Sequence, residues 1–116
     1  MSNIETFPEW KPQKSLIKLF KTGRYDYIGI DIKKLQYKRA RVASLNFTSR
    51  KDVRSYFINK NSGECTVCKS SSNLEIDHKV SVLEWVEKSL PILGLNSEDN
   101  LWLLCHFCHS HKSLFL

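Results

Sequence analysis

Residues 65–78, CTVCKSSSNLEIDH, and residues 100–112, NLWLLCHFCHSHK, decide how this chain folds. Cys65 and Cys68 make one Cys-x2-Cys pair, Cys105 and Cys108 a second, and 36 residues lie between them. Each pair offers two thiolates from one tight turn, and two such turns closing on each other make a tetrahedral set for zinc. With four cysteine ligands no coordination position stays open, so the expected zinc is structural and holds the fold without doing chemistry. The separation exceeds that of a simple zinc ribbon, so the intervening segment is expected to be a structured insert.

Outward from the cysteines, Leu74 and Ile76 alternate with Glu75 and Asp77, which predicts a strand ending near His78. Residues 82–90, VLEWVEKSL, fit a helix with Val82, Val86 and Leu90 on one face, stopped before Pro91. NSEDN at 96–100 reads as a turn, LWLL at 101–104 as a buried strand, and HSHKSLFL at 109–116 as a short terminal helix.

The sequence before the cysteines has a different character. Residues 1–63 hold fourteen Lys/Arg and five Asp/Glu, a net of +9, whereas residues 64–116 hold four and seven, a net of −3. A basic half beside an acidic, Cys/His-rich half suggests a polyanion held by one part and worked on by the other; a solvated basic helix explains the same charge equally well. Residues 1–12 look like an irregular arm. KSLIKLFKT at 14–22 is a short amphipathic helix ending at Gly23, and RYDYIGI at 24–30 a brief extended stretch. A second helix is expected from Asp31 through Ile32, Leu35, Val42 and Leu45, with Lys33, Lys34, Lys38, Arg39 and Arg41 on its exposed face. A third is expected over 49–59, with Val53, Phe57 and Ile58 inward. Asn61-Ser62-Gly63 is a turn signal and divides the chain into a mainly helical region, 1–63, and a zinc-stapled module, 64–116. The expected class is a small α+β fold.

No apolar run approaches the ~18 residues of a membrane span. The start, MSNIETFPEWKPQ, lacks the apolar core of a signal peptide. These features point to a cytoplasmic protein without a membrane partner, where paired cysteines read as metal ligands rather than disulfides.

Taken singly, Asp77-His78 is an ordinary strand end, Asn100 a turn residue, and His109 a spare ligand or solvent-facing group. His106 and His111 read as exposed bystanders, Trp10, Trp85 and Trp102 as core, and Glu75 as solvent-facing. Their joint order (CxxC, LEIDH, NLWLLCxxCH, Lys112) resembles the HNH endonuclease family and its ββα-metal fold over residues 65–112. The family often carries Pro and a Gly pair soon after the Asp-His, where this chain reads KVSVLEW, and its stretch from His78 to Asn100 is longer. The resemblance implies that Asp77 and His109 bind one divalent cation, Mg or Mn, with Ni or Zn also accepted. It implies that His78 is the general base and that Asn100 fixes His78 or the loop carrying it. Lys112, three residues beyond His109, would reach a phosphate from the same helix face.

The implied activity is metal-dependent hydrolysis of DNA, with the basic half, Lys33, Lys34, Lys38, Arg39 and Arg41 included, on the backbone. The alternative is a non-catalytic zinc module that binds nucleic acid or a protein. A homodimer, or a partner in a phage or restriction assembly, stays open. Chemistry sets one geometric condition. Neighbouring strand residues point to opposite faces, so Asp77 and His78 can serve one phosphate only where the strand twists, bulges or ends.

Overall fold

The computed structural model describes residues 14–21 and 31–112. The arm over 1–12, the extended stretch over 24–30 and the end of the expected terminal helix lie outside them. The elements in chain order are α1 (Lys14–Lys21), α2 (Ile32–Thr48), α3 (Lys51–Lys60), β1 (Leu74–His78), α4 (Val82–Glu87), α5 (Ile92–Leu95), a single 3-10 turn (Glu98–Asn100), β2 (Leu101–Cys105) and α6 (His106–Ser110). Among the described residues no helix is long and apolar enough to cross a membrane.

β1 and β2 pair antiparallel, with Leu74 opposite Cys105 and His78 opposite Leu101. Their alternation sorts side chains onto two faces. Leu101, Leu103 and Ile76 pack with Phe47 of α2 and Val53 and Phe57 of α3. Leu104 turns the other way, into a cluster with Cys65, Cys105 and Cys108 that Trp102 packs against. This second face also carries Glu75 and Asp77, opposite Leu104 and Trp102. The first core draws on residues from both sides of Gly63, the left-handed turn residue (φ 70°).

α2 departs from the expected phase. Its buried side is Ile32, Gln36, Ala40, Ser44 and Phe47, while Val42 and Leu45 are each 57% exposed. The inward face is lined with small and polar groups because α2 packs closely against α1 and α4. Ala40 sits in a cluster with Val86, Ile92 and Leu95, and Gln36 Nε2 donates to the Leu19 carbonyl at 2.9 Å. Lys33 is not on the open face either: its amino group donates to the Val86 carbonyl at 2.7 Å and to Ser89, capping the end of α4. Lys34, Lys38, Arg39 and Arg41 are exposed.

The stretch from His78 to Asn100 is a compact helical insert. Ser81 caps α4 by accepting from the Glu84 N–H at 3.2 Å. α4 ends at Glu87 rather than continuing to Leu90, and the turn expected at 96–100 is preceded by the extra helix α5. Gly94 is required there, since a Cβ would lie 2.9 Å from the Trp85 ring.

Candidate active site and cysteine knuckle

The Sγ atoms of Cys65, Cys68, Cys105 and Cys108 all lie within 4.8 Å of one another, and Cys68 and Cys105 are 3.5 Å apart. A tetrahedron with ~2.3 Å zinc–sulfur bonds has edges of about 3.8 Å, so the four fit zinc. Burial opposes ionisation of Cys65, but the backbone N–H groups of Cys68, Cys105 and Val67 outweigh it and bring the thiol down to about 6. Burial and the three neighbouring sulfurs push Cys108 up to about 12. Four sulfurs this close cannot all be thiolates without a cation among them. Cys105 also caps α6, its sulfur accepting from the Cys108 N–H at 3.4 Å. α6 therefore starts at His106, three residues earlier than the expected terminal helix.

The knuckle aims α6 at the Glu75–Asp77 face of β1. His109 Nδ1–H donates to Glu75 Oε1 at 2.5 Å. In the neutral ring that bond places the proton on Nδ1, so the Nε2 lone pair faces Asp77 Oδ1 at 3.2 Å. An imidazole lone pair and a carboxylate oxygen this close repel unless a proton or a cation lies between them. Two ligands on neighbouring vertices of an octahedron with ~2.1 Å bonds are about 3 Å apart, so the pair fits a divalent cation. Asp77 Oδ2 is occupied separately, accepting from Trp102 Nε1 at 3.0 Å and Lys112 Nζ at 2.8 Å. Lys112 also donates to the His78 carbonyl at 2.8 Å, so in this structure it holds the end of β1.

β1 ends at His78, which is one of the three ways of meeting the geometric condition on Asp77 and His78. The His78 side chain leaves for a different element from Asp77. Its Nε2 is 2.5 Å from Asn96 Oδ1, at the C-terminal cap of α5. An amide oxygen only accepts, so Nε2 carries the proton and Nδ1 keeps the lone pair. Burial lowers the imidazole's affinity for a second proton, and Lys112 adds to this against the opposing pull of Asn96 and Asp77.

Asn100 does not touch the His78 ring. It is buried and fixes the loop beyond it, accepting from Val80 N at 2.9 Å and donating to the carbonyls of Val80 (3.2 Å) and Leu95 (2.8 Å). Replacing Asn100 by alanine leaves those backbone groups without their partners, so a stability loss of roughly 3 kcal/mol is expected. Urea unfolding checks this. A midpoint unchanged from wild type would mean that water replaces the amide.

Residues 65–114 match the HNH endonuclease family. No curated protein and no solved structure gives a match to the chain. The matched segment gathers Asp77, His78, His109 and Lys112 around the end of β1. Lys34, Lys38, Arg39 and Arg41 are exposed on α2. His106 is exposed, 3.6 Å from Glu75 Oε2, and His111 stacks on Phe107 with ring centres 4.3 Å apart. The sequence analysis assigns no functional role to three residues of the site: Asn96, Glu75 and Trp102. Glu75 lies two positions before Asp77 and so shares its strand face, which was the signal available. Trp102 was findable only through its register opposite Asp77. Asn96 had no local signal.

Proposed function

We propose that the HNH module hydrolyses phosphodiester bonds of DNA, with Asp77 Oδ1 and His109 Nε2 as the protein ligands of a catalytic Mg or Mn. The observation that carries this reading is the facing pair itself: an Asp77 oxygen and a His109 nitrogen 3.2 Å apart, with Glu75 fixing the tautomer from behind. A module that only binds nucleic acid or protein needs its four cysteines but has no use for this pair. The cation supplies positive charge for the developing phosphorane charge and the leaving oxygen.

The chain's own residues supply the rest. His78, its Nε2–H held by Asn96, offers Nδ1 to take the proton of the attacking water. Asn96 orients that ring, and Asn100 and Lys112 hold the strand end that presents it. Lys34, Lys38, Arg39 and Arg41 contact backbone phosphates from α2, a helix without a single acidic residue. Each phosphate contact releases condensed counterions, so the Lys38→Ala/Arg41→Ala double variant should reduce the slope of log affinity against log salt by about 2 on duplex DNA. A slope equal to that of wild type, read by fluorescence anisotropy, would remove these two residues from the interface.

The test of the activity is supercoiled plasmid incubated with the zinc-loaded protein and Mg or Mn. Nicked or linear product is expected, and EDTA added at a level that leaves the zinc bound should abolish it. A protein that binds the plasmid and leaves it intact with every divalent metal would be the zinc-stapled binding module instead.

A further inference from the structure

Asp77 has two carboxylate oxygens, and the fold treats them differently. Oδ2 accepts two hydrogen bonds, from Trp102 Nε1 at 3.0 Å and Lys112 Nζ at 2.8 Å. A carboxylate oxygen offers about two lone-pair positions, so Oδ2 is full. Oδ1 faces His109 Nε2 at 3.2 Å. The Asp77 side chain is only 9% exposed, so little water is at hand to replace a lost donor. Neither donor is there by accident of rotamer. Trp102 is the strand partner of Asp77 in the hairpin register, and Lys79 lies over its ring at 5.9 Å. Lys112 is anchored a second time by the His78 carbonyl.

We propose that Trp102 and Lys112 are positioning residues that confine Asp77 to one-oxygen ligation and thereby select a small octahedral cation, Mg or Mn, over Ca. The inference rests on the reading of Asp77 and His109 as metal ligands. Its physical basis is the difference between the cations. Mg requires near-ideal octahedral geometry with bonds of about 2.0–2.1 Å, and commonly takes one carboxylate oxygen while keeping several waters. Ca takes six to eight oxygens at about 2.3–2.6 Å and readily accepts both oxygens of one carboxylate. For Asp77 to chelate through both oxygens, Oδ2 must give up an indole N–H and an ammonium in a nearly dry site. Ca loses an option here that Mg and Mn do not use.

The test needs no DNA. Mn binding to the zinc-loaded full chain is followed by electron paramagnetic resonance of free Mn, and Ca binding by its competition against Mn. Wild type should prefer Mn clearly. Trp102→Phe keeps an aromatic ring and loses one donor, and should narrow the Mn-to-Ca preference roughly tenfold, the value of one hydrogen bond to a charged group. Lys112→Met removes the other donor from a partly exposed position and should narrow it as well, providing a second reading if the Trp102 variant does not fold. Mn should also quench the indole emission of wild type more than that of Trp102→Phe. If either folded variant loses affinity for both cations equally and keeps the ratio, the residue is merely structural and the inference is overturned. Equal affinity of wild type for Ca and Mn overturns it too. If zinc-loaded wild type binds no Mn at millimolar concentration, the metal reading of Asp77 and His109 falls, and the inference falls with it.

Discussion

Replacing His78 by alanine is expected to slow plasmid cleavage by about a hundredfold or more, the usual contribution of a positioned general base, while zinc content stays at wild type and stability falls only by the lost bond to buried Asn96, about 1–3 kcal/mol. The ring is half-buried at the end of β1, and one hydrogen bond, from Nε2 to Asn96, fixes its direction. Truncation removes the proton acceptor and leaves the Asp77–His109 pair, with its partners Glu75, Trp102 and Lys112, as it stands. The defect should therefore appear in the rate at saturating metal and not in Mn affinity. Asn96→Ala should give a smaller defect of the same kind, since the ring remains but its tautomer and direction are no longer held. Initial nicking rates for the three proteins, with Mn titrations alongside, separate these effects. Equal rates for wild type and His78→Ala would remove His78 from the chemistry.

How far the sequence carried the reading depended on how local each signal was. The two Cys-x2-Cys turns are complete within four residues each, so the four-cysteine set was legible at once, and the fold brings the four sulfurs together. The alternation of LEIDH placed β1 and its end at His78, because a period of two needs only a few residues. The face of α2 was misread for a physical reason. Hydrophobicity picks out Val42 and Leu45, but close helix packing selects small groups such as Ala40 and Ser44, and Gln36 is buried through its bond to Leu19. Asn96 was not legible. It reaches His78 only because Pro91–Leu95 coils into an unexpected helix whose cap it forms. Glu75 was assigned to solvent by alternation with Ile76. The same alternation puts it on the face of Asp77, and what the sequence could not supply was the position of α6 above that face.

Stripping the metal from the four cysteines is expected to have the largest effect of all: loss of the folded module. A strong chelator, or Cys68→Ser, is expected to abolish the cooperative melt of residues 65–112 and any Mn affinity together. Structural zinc contributes an apparent ~10–16 kcal/mol in small zinc modules, against roughly 5–15 kcal/mol of total stability for a typical domain. The structure shows why the apolar contacts cannot compensate. α6 has five residues, far too few to persist alone, and its only buried residue is the ligand Cys108. Without the cation, the sulfurs of Cys68 and Cys105, 3.5 Å apart, lose what holds them, and α6 loses its anchor. His109 and Lys112 then leave Asp77, since both are carried by α6 and the turn after it. Phe47, Val53, Phe57, Leu101 and Leu103 form a cluster of their own beside that of the cysteines, so part of the helical circular dichroism should survive chelation while the Mn site does not. Acid should act in the same direction, because protons compete with zinc for the thiolates. Far-ultraviolet dichroism, zinc content and Mn binding followed through one chelator titration check the coupling. Mn affinity that outlasts the zinc would show that β1 and α6 are held together by the Glu75–His109–Asp77 contacts instead.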